Sequence, residues 1–191
     1  MSTISSRYLS ELSATISRLP LAEIDRLIEL LEAARREGRQ VLLLGNGGSA
    51  ATASHFCCDL AKNTITPGLP PFRALSLTDN TALMTAWAND TAYDNLFWGQ
   101  LQCLLRPGDL VIGISGSGNS PNVLRAMEMA RKEGATTVGL IGFAGGKLKE
   151  LVDLAIIVPS QCMEQIEDLH LVIEHLVVTA LRERAKGNTD E

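Results

Sequence analysis

Three histidines, each in a helical stretch with carboxylates nearby, are the residues of this 191-residue chain best suited to move a proton or hold a metal ion. His55 and Asp59 stand four residues apart and so share one helix face. Glu167 and His175 stand eight apart, about 80° around a helix axis, and still point broadly the same way. His170 lies about 60° from Glu167 in the other direction. A helical histidine one turn from a carboxylate is ordinarily a solvated pair worth roughly a few tenths of a kcal/mol. His170 and Glu174 read as such a surface pair. His55 and Asp59 differ, because their surroundings are apolar and their helix opens on a glycine-rich loop.

Two loops have the composition to hold phosphate. Gly45-Asn46-Gly47-Gly48-Ser49 follows the first apolar run, and Ser115-Gly116-Ser117-Gly118-Asn119-Ser120-Pro121 follows the third. Each stands between a strand-like run and a helical stretch. Glycine lets the backbone approach a ligand, the loop N–H groups point at it, and the next helix adds its positive end. In the second loop the hydroxyls of Ser115, Ser117 and Ser120 can each donate to a phosphate oxygen, and Pro121 suits a first helical turn. Turn and N-cap duty would also account for these residue types. Two such loops after different strands of one sheet weigh against that simpler account. Neither loop is a nucleotide motif, since GxxxxGK[ST] is absent and the glycine spacing does not fit GxGxxG.

The elements that must position these residues follow from the hydrophobic pattern. Short apolar runs at Arg39–Gly45, Arg73–Leu77, Leu110–Ile114, Thr136–Ile141 and Leu154–Val158 read as strands buried on both faces. Helical stretches separate them, at about Ser49–Lys62, Asn80–Ala88, Ala92–Leu105, Pro121–Glu133, Gly146–Leu151 and Met163–Arg184. Two further helices precede the first strand, over residues 1–18 and Leu21–Glu37, with Pro20 at the break. The alternation predicts a parallel α/β sheet covered by helices, with its ligand loops on one edge.

The chain is 46% hydrophobic with a net charge of −5, which suits one compact domain and argues against nucleic acid as the main partner. No apolar run approaches the ~20 residues of a membrane span. A soluble, cytoplasmic protein is expected. Cys57, Cys58, Cys103 and Cys162 form no CxxC pair and are expected to be buried apolar residues.

LGNGGSAATASHF and ISGSGNSPNV resemble the sugar isomerase (SIS) domain family, particularly its phosphoheptose isomerases. The resemblance runs from about residue 5 to 185 and includes AND followed by YDNLF, RPGDLVIGIS, the GGKL segment and the long last helix. It implies a three-layer αβα sandwich with a five-stranded parallel, flavodoxin-like sheet. It also implies an N-terminal helical segment (1–38) packed on the oligomer, a phosphosugar-binding part (39–191) and a homotetramer with active sites between subunits. Substrate contacts implied by the family fall on Asn46, Gly47, Gly48 and Ser49, on Asp79 and Asn80, and on the loop Ser115, Gly116, Ser117 and Ser120, and Glu167 is expected to contact substrate as well. The metal ligands implied are His55, Asp59, Glu167 and His175, with zinc as the expected ion.

Two positions depart from the family pattern. Asp59 stands where the resemblance implies glutamate, and Glu167 where it implies glutamine. The aspartate is shorter by about 1 Å, a displacement that can lower a rate on the order of a hundredfold. The expected activity is aldose–ketose isomerisation of a sugar phosphate, with sedoheptulose 7-phosphate the leading substrate. Its base would be Asp59 or Glu167 and its acid His175, and Glu164 joins Asp79 and Asn80 among the residues that would select the sugar. The alternative is a non-catalytic SIS module that binds phosphosugar for regulation, of the type that associates with the bacterial replication initiator.

Overall fold

The structure, a computed structural model, describes residues 3–187. The first two residues of the expected 1–18 helix, and the last four of the 39–191 part, lie outside the described residues. The chain begins with helices α1 (Ile4–Ile16) and α2 (Leu21–Arg36). Then β1 (Gln40–Gly45), α3 (Gly48–Cys58), β2 (Arg73–Ser76), α4 (Thr81–Asp90), α5 (Leu96–Leu104), β3 (Leu110–Ser115) and α6 (Pro121–Lys132) follow. The last elements are β4 (Thr136–Ile141), the short α7 (Leu148–Leu151), β5 (Leu154–Ile157) and the long α8 (Met163–Gly187). All five expected strands form, each within a residue or so of its apolar run.

The strands make one parallel sheet in the order β2-β1-β3-β4-β5. Alternate side chains feed two cores. Val41, Leu43, Ile112, Ile114 and Leu140 face α2, α3 and α8, whereas Leu42, Leu44, Val111 and Ile141 face α5 and α6. Both faces are covered, which is why the strands read as unbroken apolar runs. Helix α2 is part of the first core, with Leu27 and Leu31 fully buried. Helix α1 leaves Ile4 and Leu9 exposed.

This strand order has its switch point between β1 and β3, where successive crossovers leave in opposite directions. Ligands of such sheets bind in the crevice beyond the carboxyl ends of those two strands. Gly45 and Ile114 are register partners there, so both glycine-rich loops begin side by side. Cysteine burial differs from expectation. Cys58 and Cys103 are exposed and Cys57 and Cys162 only half-buried, since each sits near a helix surface rather than on a strand. Among the described residues no helix is long and apolar enough to cross a membrane.

Candidate active site

The β3–α6 loop is held in shape by its own backbone and by the β4–α7 loop. Gly118 N–H donates to Ser115 Oγ at 3.2 Å, and Asn119 N–H to Ser117 Oγ at 3.2 Å. Leu148 N–H donates to Gly118 O, and Gly142 N–H to Gly116 O. Gly118 has φ +64, and a Cβ there would collide with the Gly145 carbonyl. Only glycine allows the two loops to lie backbone to backbone. Ser120 occupies the N-cap of α6 yet makes no capping bond; its Oγ instead lies 3.3 Å from Ser115 Oγ. The simple N-cap reading of Ser120 therefore fails, and its hydroxyl stays at the mouth of the crevice.

The β1–α3 loop meets it from the other strand. Gly47, at φ +55, precedes α3 and supplies no capping side chain. Ala50 N–H donates back to Gly47 O, while the N–H groups of Gly48 and Ser49 ahead of it lack a side-chain cap and suit an anion. The loops are tied together by an amide pair that the sequence reading missed. Asn46 Nδ2 donates to Asn122 Oδ1 at 2.9 Å and Asn122 Nδ2 to Asn46 Oδ1 at 2.8 Å, while Tyr93 O–H also donates to Asn46 Oδ1. Asn46, Ser49, Ser115, Gly116, Ser117 and Ser120 line one cleft of about 130 Å³, and Met163 and Glu167 of α8 close its side. Glu167 packs on the amino end of α3: a Cβ on Gly48 would stand 2.7 Å from either carboxylate oxygen. A larger concavity of about 730 Å³ between α5 and α6 carries no histidine, and of the two glycine-rich loops only Pro121 reaches it.

Two turns further along α3 and α8 lies a second constellation. Ligand atoms of His55, Asp59, Glu174 and His175 all fall within 4.8 Å of one another. The two Nε2 atoms are 3.4 Å apart, and each histidine stands 3.9 Å from a carboxylate, His55 from Asp59 and His175 from Glu174. Two nitrogens bound to one tetrahedral zinc at about 2.0–2.1 Å would be separated by about 3.3 Å, so the donor set fits that ion. Asp59 is placed by a local irregularity. Helix α3 widens into a π-turn over Asp59–Asn63, and Asn63 Nδ2 donates to Asp59 Oδ1 at 2.6 Å. The carboxylates form the buried inner wall and the histidines the exposed outer one.

Glu174 and His170 are not a surface pair. Glu174 is wholly buried and His170 nearly so, because α8 turns this face onto α3 and the sheet. No N–H or O–H group donates to either Glu174 oxygen. Burial first, then the negative charge of Asp59 and a hydrogen bond toward it, push the Glu174 carboxyl up to about 8. Burial pushes the His170 imidazole down to about 4, with the Ile141 backbone opposing. Glu167, expected beside His175, is instead found at the serine loop.

The remaining candidates are exposed and do not line the cleft. Asp79 is exposed and accepts from the Ser54 hydroxyl. Asn80 caps α4 by accepting from Leu83 N–H at 3.0 Å. Glu164 is exposed, accepts from the Cys162 thiol and is held below the usual carboxylate range, chiefly by its own backbone N–H at the start of α8.

Comparison with known proteins bears on what this pairing of cleft and cluster does. The SIS domain model matches residues 7–142. A phosphoheptose isomerase of Trichlorobacter lovleyi is 40% identical over 171 residues, covering 88% of this chain and 84% of its own. One from Aliarcobacter butzleri is 44% identical over 144 residues, covering 74% of this chain and 75% of its own. The chain belongs to the SIS domain family, in its phosphoheptose isomerase group. The solved phosphoheptose isomerase of Francisella tularensis superposes with a TM-score of 0.86 at 29% identity, covering 94% of this chain and 96% of its own. That of Neisseria gonorrhoeae gives 0.84 at 28%, covering 95% and 100%. The SIS fold thus extends over nearly the whole chain, and the cleft and the cluster both lie within it.

Proposed function

We propose that this chain is an aldose–ketose isomerase that converts sedoheptulose 7-phosphate to a manno-heptose 7-phosphate. The observation that carries the reading is the placement of an anion cleft and a histidine–carboxylate cluster along the same two helices, in a chain similar to phosphoheptose isomerases over most of its length. Seven residues separate Gly48 from His55 on α3, about 10 Å of helix. An extended sugar phosphate with its phosphate at one end and its carbonyl at the other matches that arrangement.

The serine hydroxyls of Ser115, Ser117 and Ser120 and the N–H groups opening α3 clamp the phosphate. Binding energy gained there fixes the reacting end of the sugar without taking part in the chemistry. Glu167, with the exposed Asp79, Asn80 and Glu164, would contact the hydroxyls between. Asp59, oriented by Asn63, removes the proton from the carbon beside the carbonyl to give an enediol and returns it to the neighbouring carbon. His175, half-exposed at the cluster, exchanges a proton with the substrate oxygens. His55, Asp59 and His175, with a carboxylate from α8, would hold a divalent ion that we read as Zn²⁺; once bound it would polarise the substrate carbonyl.

The assembled cluster favours catalysis over the purely regulatory alternative. We also read the protein as a cytoplasmic homotetramer, with apolar residues exposed in one chain, among them Ile4, Leu9, Leu21 and Leu83, as its contact surface.

NMR of the protein with sedoheptulose 7-phosphate and Zn²⁺ tests the assignment. Aldose signals should appear with wild type and fall at least a hundredfold with His175→Ala. No turnover by wild type, or equal turnover by the variant, contradicts it.

A further inference from the structure

The inner wall of the cluster holds two carboxylates against each other in the groove between α3 and α8. Asp59 has Asn63 as a donor; Glu174 has none, and it is the most enclosed member of the set. Among the described residues neither carboxylate has an ion-pair partner other than a histidine. Two buried acids facing each other, with no other group donating to Glu174, are a costly arrangement for the fold alone. The same arrangement presents oxygen ligands to a cation from inside, opposite the two imidazole nitrogens.

We infer that Glu174 is the fourth ligand of the cluster's divalent ion, leaving Glu167 free to serve the sugar cleft. The geometry separates the two glutamates. The Glu174 carboxylate lies within 4.8 Å of the ligand atoms of His55, Asp59 and His175. The Glu167 carboxylate packs on Gly48, at the amino end of α3, beside Ser115 and Ser120. They stand seven positions apart on α8, a rise of about 10 Å. Glu174 thus trades fold stability for ion binding: burying its carboxyl is costly in the ion-free protein, and a cation would offset that cost.

This inference rests on the reading of the cluster as an ion site but not on the identity of the sugar. Zn²⁺ affinity, measured on the folded full chain by competition with a chromophoric chelator, tests it. Glu174→Gln should weaken Zn²⁺ binding by about a hundredfold or more, the upper end of what outer-shell changes cause. Glu167→Gln should keep wild-type affinity. Glu174→Ile, which removes the buried acid, should raise the melting temperature of the ion-free protein by several degrees while abolishing the rise that Zn²⁺ gives wild type. These opposite signs distinguish a ligand from a residue that merely supports the fold. Wild-type affinity in Glu174→Gln, or an equal loss in Glu167→Gln, overturns the inference. Turnover of sedoheptulose 7-phosphate by wild type, assayed separately, then decides whether the isomerase reading stands without it.

Discussion

The serine-loop cleft and the histidine–carboxylate cluster are served by the same two helices but are built from different materials. The cleft is largely backbone, hydroxyl and glycine, drawn from two short stretches of sequence and fixed by loop-against-loop hydrogen bonds. The cluster is wholly side chain, and its four members come from α3, from the distorted turn that follows it and from adjacent positions on a long helix. A site of the first kind can bind an anion without any charged residue of its own. A site of the second kind concentrates charge that the fold must neutralise, and it becomes favourable only when a ligand does so.

If the two regions divide binding from chemistry, substitutions should separate them. His55→Ala should have the largest effect, lowering turnover by about 10³-fold with loss of Zn²⁺ binding, while the affinity for inorganic phosphate, read by calorimetry, stays at the wild-type value. Loss of phosphate affinity in that variant would mean the regions are one.

His170 sharpens the contrast from the side of stability. Its folded pKa of about 4 lies below the ordinary 6.5, so the unfolded chain binds the extra proton in that window. Stability should therefore be intact above about pH 6.5 and fall by up to about 3 kcal/mol as pH drops toward 4. Urea unfolding at several pH values measures this, and His170→Leu should flatten the curve. A slope unchanged in the variant would assign the acid sensitivity elsewhere.

Ser120→Ala should have the smallest effect, raising KM for the sugar phosphate about tenfold through loss of one hydrogen bond to a charged group. Zn²⁺ affinity should not change. An unaltered KM would return Ser120 to simple loop duty.

How far the sequence reveals each region follows from the same difference. The five strands and both glycine-rich loops are legible because their signals are local: apolar runs end in glycine, and serine and glycine sit before a helix start. That the loops share one edge of the sheet follows from alternation of elements, whereas the pairing of β1 with β3 that sets them side by side does not. Asn122 and Tyr93, which fasten the Asn46 side chain, are far from it in sequence and belong to ordinary helical stretches. The placement of Glu167 and Glu174 has a different origin. Helical spacing relates residues within α8, but how α8 is rotated against α3 and the sheet is set by packing in the first core. That rotation buries Glu174 beside Asp59 and brings Glu167 to Gly48. The π-turn that aims Asp59 likewise leaves no mark in the spacing of apolar residues.

The most direct measurement of the account is a crystal structure of the protein with Zn²⁺ and sedoheptulose 7-phosphate, read for anomalous signal and for sugar density. The account predicts a single strong anomalous peak among His55, Asp59, Glu174 and His175. The phosphate should lie on the Ser115–Ser120 loop, with Glu167 beside the sugar. A phosphate bound away from that loop, or a metal held by Glu167 without Glu174, would contradict it.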